Sequence, residues 1–529
     1  MSIFKKLNKI NGFDFKDLKN AKQNNYSWCM AEFNGYIYVG TARNIPWNTV
    51  SLLGENAKSP LLIRTTEKNN NGEIWRYKKD ESLPWERVYK ADNSEDINGF
   101  RFMLIHAAEN SSKALYAASF SLRGTITILK TTDGSNWTNV TGVLKGGSSR
   151  AMLSFNGLLY VADIDDSTAI GGNVPLLYYS EDPEFFDFKF VFDPNDPDLI
   201  PEQNPMGGID NMAIFNNRLY VCISKDDGMQ VWRSNSSVPK LNDWTLVADK
   251  GFGDSLNRNA MAIKVYGDYL YITATKQIPL VFLIPMGADI VRIDKNDNWE
   301  VVVGGNAIIP SDPTTGTRNR SLSGYLSGFS NPFNVYVWQL QEYCGCLLAA
   351  TFDHGTNMET LRDVVLLNKD LIVEKVGLIL YELILQLYDK ILYLFDMFDY
   401  PKGFDLFASI DGIHFKPLNL SGLGNPNNYG GRILMVDKND LYVGTANPFQ
   451  GCEVLKTNKA SFVNMLYHCQ NPDYDNIFSK LFEDIDIMYD NIIIELKKIG
   501  MDNLKTEVLA ASFKNSQQIL ELTRYGVGA

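Results

Sequence analysis

The chain has 529 residues and a formal net charge of −12, with hydrophobic residues at 45% and charged residues at 21%. This composition is typical of a globular protein with a large core and excludes a disordered chain. The acidic balance disfavours nucleic acid as a partner, because binding to phosphate backbones requires a basic patch.

Residues 1–15 contain Lys5, Lys6 and Lys9 but no apolar run of the length that a signal peptide requires. The six cysteines show no C-x-x-C spacing, and four of them fall within apolar strand patterns. We therefore expect reduced cysteines, a cytoplasmic protein, and neither a metal nor another cofactor.

One six-residue pattern, in which apolar residues alternate around a recurring tyrosine, appears seven times between residues 25 and 457. Such alternation predicts a strand that is packed on both faces. The copies are YIYVGT (36–41), ALYAAS (114–119), LLYVAD (158–163), RLYVCI (218–223), YLYITA (269–274), CLLAAT (346–351) and DLYVGT (440–445).

Each copy lies within a larger unit of four predicted strands. An apolar segment and a tight turn such as Asn34-Gly35 or Asn156-Gly157 precede it, and a third strand and an aromatic-centred fourth strand follow. Repetition of a four-stranded meander predicts an all-β fold, a seven-bladed β-propeller of four-stranded antiparallel blades over residues 1–458.

The last unit, residues 429–458, lacks an obvious fourth strand. We expect residues 3–15 to supply it, which would pair the two ends of the chain and remove a free sheet edge. A last blade that is left short is the alternative.

Two turns between the third and fourth strands have a related sequence, TTDGSNW at 131–137 and SIDGIHF at 409–415. They resemble the Asp-box turns of sialidase-like and other β-propellers. The resemblance implies that Asp133 and Asp411 hold their turns while Trp137 and Phe415 pack between blades. It implies the fold more than an activity, because the arginine motif of sialidases has no counterpart in this sequence and seven units differ from the six blades of sialidases.

Residues 353–403 interrupt the sixth unit with a segment rich in Leu, Ile and Tyr. Charged residues break every window long enough to span a membrane, so no transmembrane segment is expected. An amphipathic helix packed on the propeller is predicted, and a strand pair or a helix at a partner or membrane surface remains open.

The period of the apolar residues changes after residue 458. Steps of three and four residues predict two helices in the C-terminal segment 459–529. These helices either dock on the propeller or form a protein contact.

Counting ten residues back from the tyrosine of the second strand leads to the start of the first strand, which lines the central channel of a propeller. This count, with an allowance for longer hairpins, selects one polar or aromatic residue in each of six units: Trp28, Arg101, Arg150, Asp210, Asn259 and Arg432. The loops after the second strands are expected at the same channel mouth, and they contribute Arg43, Asp163, Asp165, Asp353 and His354.

Three arginines around one channel favour the binding of a carboxylate or sulfate, because the guanidinium fork matches planar oxyanions. The alternative is that they pair with Asp163, Asp165 and Asp210 and only fill the channel. We therefore expect a binding or protein-interaction module for an acidic or glycan-like ligand. A glycan-active hydrolase or lyase at the same mouth is the second possibility.

Overall fold

The computed structural model describes residues 3–51, 53–54, 56–64, 70–92, 97–109, 111–121, 124–164, 174–278 and 280–468. Asp165 and residues 469–529, on which some of these predictions fall, lie outside the described residues.

The described chain is mostly β structure. Its strands are β1 (Lys5–Lys6), β2 (Asn24–Phe33), β3 (Tyr36–Arg43), β4 (Glu73–Lys78), β5 (Glu86–Lys90), β6 (Ile97–His106), β7 (Ala114–Ser121), β8 (Ile128–Thr131), β9 (Thr138–Asn139), β10 (Ser148–Phe155), β11 (Leu158–Ile164), β12 (Leu177–Ser180), β13 (Lys189–Phe190), β14 (Ile209–Phe215), β15 (Arg218–Ile223), β16 (Gln230–Ser234), β17 (Trp244–Ala248), β18 (Asn257–Tyr266), β19 (Tyr269–Lys276), β20 (Asp289–Ile293), β21 (Trp299–Val303), β22 (Asn334–Tyr343), β23 (Cys346–Asp353), β24 (Leu406–Ser409), β25 (Phe415–Asn419), β26 (Gly430–Asp437), β27 (Asp440–Ala446) and β28 (Val454–Asn458). Its helices are α1 (Leu18–Gln23), α2 (Ile45–Ser51), α3 (Leu280–Leu283), α4 (Met358–Leu367), α5 (Lys369–Val376), α6 (Leu378–Phe398) and α7 (Lys459–His468).

Consecutive strands pair into four-stranded antiparallel sheets, as the repeat predicts. The sheets are β2–β5, β6–β9, β10–β13, β14–β17, β18–β21, β22–β25, and β26–β28 together with β1. The Asn-Gly turns join first and second strands because both residues have positive φ, for example Asn34 at 50° and Gly35 at 82°.

The two ends of the described chain meet in the last of these sheets. Lys5 and Lys6 pair antiparallel with Lys456 and Leu455, and the Leu7 amide donates to the Val454 carbonyl at 2.8 Å. The predicted pairing of the amino-terminal segment with the last unit is therefore confirmed, although the strand covers two residues of the predicted 3–15.

Neighbouring sheets are also joined directly. The end of a second strand pairs with the start of the next first strand at Ala42 and Gly99, Phe120 and Ser148, and Phe352 and Gly430. Ala446 of β27 pairs in the same way with Tyr26 of β2, which connects the last sheet to the first.

The segment between β23 and β24 is helical, and the alternative of a strand pair is wrong. Helix α6 buries Tyr388, Ile391 and Leu394 completely, in one core with residues of the β22–β25 sheet such as Leu340 and Phe407. No helix of the described chain is both long and apolar enough to span a membrane.

The two related turns have the predicted hydrogen bonds. Oδ1 of Asp133 accepts from the amides of Ser135 and Asn136, both at 2.8 Å. Asp411 likewise accepts from the amides of Ile413 and His414 at 2.8 Å. Each carboxylate thus holds its turn, as the Asp-box resemblance implies for these residues.

Candidate functional site

The first strands of all seven sheets line one cavity of about 300 Å³. Each strand contributes three or four residues, which begin with Trp28 on β2 and with Arg432 on β26. Because every sheet contributes, the cavity lies where the sheets converge.

The strand register shows which residues share a level. In each sheet, the fourth residue of the repeated pattern pairs with a residue of the first strand, for example Val39 with Met30 and Ile272 with Ile263. The residue two positions before each such partner forms the level that we call the arginine level. Its members are Trp28, Arg101, Arg150, Asp210, Met261, Trp338 and Arg432.

Two of the arginines lie over tryptophans of the preceding sheet. The guanidinium carbon of Arg101 is 5.3 Å from the ring centre of Trp28, and that of Arg432 is 5.1 Å from the ring centre of Trp338. Cation–π contacts stabilise a guanidinium without neutralising it. The guanidinium of Arg432 therefore keeps its positive charge beside the Trp338 ring.

Arg150, on the sheet that follows the sheet of Arg101, is half-buried. Its Nη1 is 3.1 Å from Sδ of Met261. Neither Arg150 nor Arg432 forms an ion pair with a carboxylate of the described residues, and Nε of Arg432 has no hydrogen-bond partner among them.

Burial and mutual repulsion act on the three arginines. Burial lowers the pKa of Arg101 well below its usual range, and the charges of Arg150 and Arg432 lower it further. Burial and the charge of Arg150 lower the pKa of Arg432 to about 9. Because a guanidinium gives up its proton with great difficulty, these shifts indicate an electrostatic cost that a bound anion would relieve.

Asp210 is the acidic residue that lines the cavity among the described residues. Its Oδ2 accepts from Ser224 Oγ at 2.8 Å, Asn259 Nδ2 at 3.0 Å and the Ala260 amide at 3.1 Å. Burial raises the pKa of Asp210, whereas Arg150 and these donors oppose the rise. Asp210 alone does not balance the guanidinium groups of both Arg150 and Arg432.

Buried aromatic residues fill the channel on the side where the first strands begin. They form one cluster with Trp28 and Trp338, and they include Tyr26, Phe120, Tyr336, Phe352 and Tyr429. The cavity lining extends in the opposite direction, through Leu153 to the half-buried Lys264 and Gln341. The arginines thus lie at the inner end of the cavity and not at the predicted mouth beside the loops after the second strands.

Three predicted site residues from those loops lie away from the cavity. Arg43 is buried 3.6 Å from Glu73, and Asp163 accepts from the Gly146 amide at 2.9 Å. His354 approaches the Phe282 carbonyl at 2.9 Å through Nε2, and burial lowers its pKa to about 4. These side chains pair with buried polar groups outside the cavity, so the structure does not bring them to the arginines.

The placement of Asn259 also needs correction. The sequence count allowed for a long hairpin in the fifth unit, but the turn after Tyr266 is short, and the residue ten positions before Tyr271 is Met261. Asn259 lies two residues earlier and contacts the site through Asp210.

Trp338 is an arginine-level residue that the prediction missed. It precedes Leu348 by ten residues, but the sixth copy of the pattern has Leu348 where the others have tyrosine. Counting from the pattern position instead of from the tyrosine would have found it.

Comparisons with known proteins leave the family open. No family model matches the chain, and no curated protein matches it. A computationally designed protein, Ika8, aligns over 85% of this chain and 98% of its own with 7% identity and a TM-score of 0.37. The WD40 β-propeller domain of Doa1 aligns over 83% and 95% with 9% identity and a TM-score of 0.40.

The GH74 enzyme of Niastella koreensis aligns over 84% of this chain with 10% identity and a TM-score of 0.41. The chain spans about half, 53%, of that enzyme. With TM-scores of at most 0.41, these similarities identify neither a family nor a function.

Proposed function

We propose that the chain is a closed seven-bladed β-propeller that binds an anionic ligand in its central cavity. The observation that carries the proposal is the arginine level, where three guanidinium groups and one carboxylate from different sheets meet at the end of a cavity. Cyclic order supports the closed ring, since each first strand contacts the next and β26 contacts β2.

Charge balance supports an anion over a neutral ligand. The cations of Arg150 and Arg432 and the one carboxylate of Asp210 leave an excess of positive charge among these residues, and charge interactions are stronger in a partly buried cavity than in open water. The guanidinium groups offer several N–H donors for carboxylate, sulfate or phosphate oxygens. An acidic small molecule or an acidic glycan unit therefore suits the site.

The cavity walls favour a ligand with an apolar part next to its charged group. The cavity lining at and beside the arginine level includes methionines of five first strands, Met30, Met103, Met152, Met212 and Met261. Methionine adapts its shape to a ligand more readily than branched side chains do.

Titration with small acids tests the proposal. Inorganic sulfate, inorganic phosphate and glucuronate are the probes, and glucose is the neutral counterpart of glucuronate. We expect the acids to bind in calorimetric titration and to raise the melting temperature, because a ligand that binds only the folded state stabilises it. Binding of glucose with the same affinity as glucuronate would contradict an anion site.

Two arginine variants distinguish a binding site from a structural cluster. Arg150→Gln and Arg432→Gln should weaken acid binding by at least about tenfold, since each removes a charged hydrogen-bond donor. The melting temperature without ligand should stay the same or rise, because repulsion is relieved. Arg320→Gln, in the exposed loop between β21 and β22, is the matched control and should bind normally. A parallel loss of stability and binding would show that the cluster is structural.

A glycan-active hydrolase or lyase remains the alternative proposal. Glycosidases place two carboxyl groups about 5–9.5 Å apart across a cleft. Among the described cavity residues only Asp210 has a carboxyl group, and Asp163 and Asp353 accept hydrogen bonds elsewhere. This supports binding over hydrolysis. Cleavage of an acidic oligosaccharide that disappears in Asp210→Asn would favour the alternative.

A further inference from the structure

Several aliphatic side chains are exposed at one end of the insertion helices. Leu366 and Leu367 at the end of α4 are 42% and 44% exposed, and Leu378 and Ile379 at the start of α6 are 49% and 53% exposed. Nearby, Leu61 and Leu62 are 80% and 52% exposed. Exposed aliphatic residues that cluster in this way mark an interaction surface.

Contacts show that these segments are neighbours. Asn368 joins α4 to the segment 58–64, because its Oδ1 accepts from the Lys58 amide at 2.7 Å and its Nδ2 donates to the Lys58 carbonyl at 2.8 Å. Lys22 of α1 donates to the Leu62 carbonyl at 3.2 Å. Lys369 lies 5.4 Å from the ring of Tyr381, one turn after Leu378. The leucines therefore belong to one surface.

Part of this surface is basic although the chain is acidic. Helix α1 and segment 58–64 contain four cations, Lys19, Lys22, Lys58 and Arg64, and no acidic residue. Helix α5, which joins α4 to α6, adds Lys369 but also the exposed Asp370 and Glu374. The four side chains are exposed, and Leu18 beside them is 63% exposed. In a chain with a net charge of −12, these cations form a local positive region, which suits an anionic partner.

We propose that this leucine–lysine surface, formed by α1, segment 58–64 and the adjoining ends of α4 and α6, binds a membrane surface that contains anionic lipids. Aliphatic tips surrounded by lysines suit the boundary between acyl chains and acidic headgroups. The cores of protein interfaces, in contrast, are enriched in aromatic residues and depleted in lysine. The surface is distinct from the central cavity and does not depend on its ligand.

Sedimentation of the full-length protein with vesicles tests this inference. One set of vesicles contains phosphatidylcholine alone, and the other contains about one third phosphatidylserine. We expect binding to the second set, with an affinity that falls as salt is added, because screening weakens the lysine contribution.

Two sets of variants test the residues. The triple variant Leu62→Ser, Leu367→Ser, Leu378→Ser should lose at least about tenfold in vesicle affinity, since apolar insertion supplies much of the binding free energy. Phe185→Ser with Ile410→Ser is the matched control, because both residues are 72% exposed and lie in turns between third and fourth strands, at the other end of their sheets. The control should bind as the unmodified protein does.

Neutralisation of the cations gives an independent measurement. Lys22→Gln, Lys58→Gln and Arg64→Gln should each weaken binding to the acidic vesicles, by roughly fivefold for a cation near the headgroups. Melting temperatures should be unchanged, since the side chains are exposed.

Three outcomes would overturn the proposal. Absence of binding to acidic vesicles would exclude a lipid surface, and equal loss in the leucine and control variants would exclude this location. A self-association measured by light scattering and abolished by the leucine variant would show that a second copy of the chain covers the surface instead.

Discussion

Gly134 and Gly412 occupy the same place in two turns between third and fourth strands. Their φ angles are +80° and +75°, and a Cβ atom would lie 1.9 Å from the Tyr38 hydroxyl in one turn and 2.0 Å from the Tyr271 hydroxyl in the other. The Tyr38 hydroxyl donates to the Gly134 carbonyl at 3.2 Å. Only glycine permits both the backbone conformation and this approach.

We therefore predict that Gly134→Ala destabilises the protein by roughly 2–4 kcal/mol, from left-handed backbone strain and from the displaced tyrosine. Gly35→Ala is the control, because its φ is +82° but no atom lies within 4 Å of the new Cβ. It should cost only about 1 kcal/mol. Urea unfolding of both variants measures the difference, and equal losses would mean that the tyrosine contact contributes nothing.

For single residues, the sequence predicted the hydrogen-bonding role of a side chain better than it predicted where in the structure the side chain lies. The turn carboxylates Asp133 and Asp411 were predicted correctly because their hydrogen bonds are local. Arg43, Asp163 and His354 were expected at the channel, but their partners come from segments distant along the chain, such as Glu73 for Arg43. A single sequence does not reveal those partners.

A buried hydrogen bond between an asparagine and an acidic side chain joins the first strand to the third in several sheets. In four of them, the Nδ2 of an asparagine near the start of the first strand donates to an acidic side chain near the start of the third. The pairs are Asn24 with Glu73 at 3.0 Å, Asn257 with Asp289 at 2.9 Å, Asn334 with Asp405 at 2.7 Å, and Asn428 with Glu453 at 2.8 Å.

The residue at the end of the second strand determines the charge beside this asparagine–acid pair. Lys276 is 3.1 Å from Asp289, but the corresponding residue near Asp405 is another acid, Asp353. Burial opposes ionisation of Asp289, yet Lys276 and Arg318 outweigh it and lower the pKa of Asp289 to about 2. Burial and the nearby Asp353 raise the pKa of Asp405 well above its usual value.

We predict opposite pH dependences of stability for the contributions of Asp289 and Asp405, which the variants Asp289→Asn and Asp405→Asn test. The depressed pKa of Asp289 stabilises the fold above about pH 4, and this contribution is lost as the pH falls toward 2. Asp289→Asn should therefore cost about 3–5 kcal/mol at neutral pH, where it leaves buried cations without their partner.

Asp405 should behave differently, because its raised pKa means that the folded state holds a proton that the unfolded state releases above about pH 4. Its contribution is lost as the pH rises. Asp405→Asn should change stability at neutral pH by less than about 1.5 kcal/mol and should flatten the decline toward alkaline pH. Melting temperatures between pH 4 and 9 would show this, and a large loss at neutral pH would contradict it.

At the scale of elements, periodicity predicted the strands because each sheet has the same local pattern and turn chemistry. The residue of the fifth sheet was misplaced because the count allowed for a long hairpin, whereas the turn between Tyr266 and Tyr269 is short. The length of a hairpin between two apolar segments has no unambiguous mark in the sequence.

For the whole molecule, the contact between the chain ends makes a prediction about stability. Phe4, Leu7 and Phe13 are at most 8% exposed and pack against the last and first sheets. Deletion of residues 1–15 should therefore lower the temperature of a single cooperative unfolding transition, since it removes a strand and three buried side chains. Unchanged thermal unfolding, measured by calorimetry, would contradict this.

The C-terminal segment makes a second prediction at this scale. Helix α7 belongs to the sheet core, because Phe462 is fully buried beside Tyr343 at a ring distance of 4.8 Å. A shortened chain that keeps this core intact should therefore end at His468 and not at Lys459. The residues beyond it include three consecutive isoleucines, Ile492 to Ile494, which one helical stripe cannot bury together.

We expect the full chain to self-associate in light scattering, and a chain that ends at His468 to be monomeric with the same melting temperature. If both are monomeric and the shorter chain is less stable, the C-terminal segment belongs to the fold and forms no contact between chains.

The pairing of β1 with β28 has a consequence for the order of synthesis. Lys5 and Lys6 leave the ribosome some 450 residues before their partners, Lys456 and Leu455. Until then the amino-terminal strand has no partner, and the Leu7 amide lacks its acceptor. The last sheet is therefore completed only after translation of residue 458, so a nascent chain exposes an unpaired edge for longer than a protein of similar size built from local contacts.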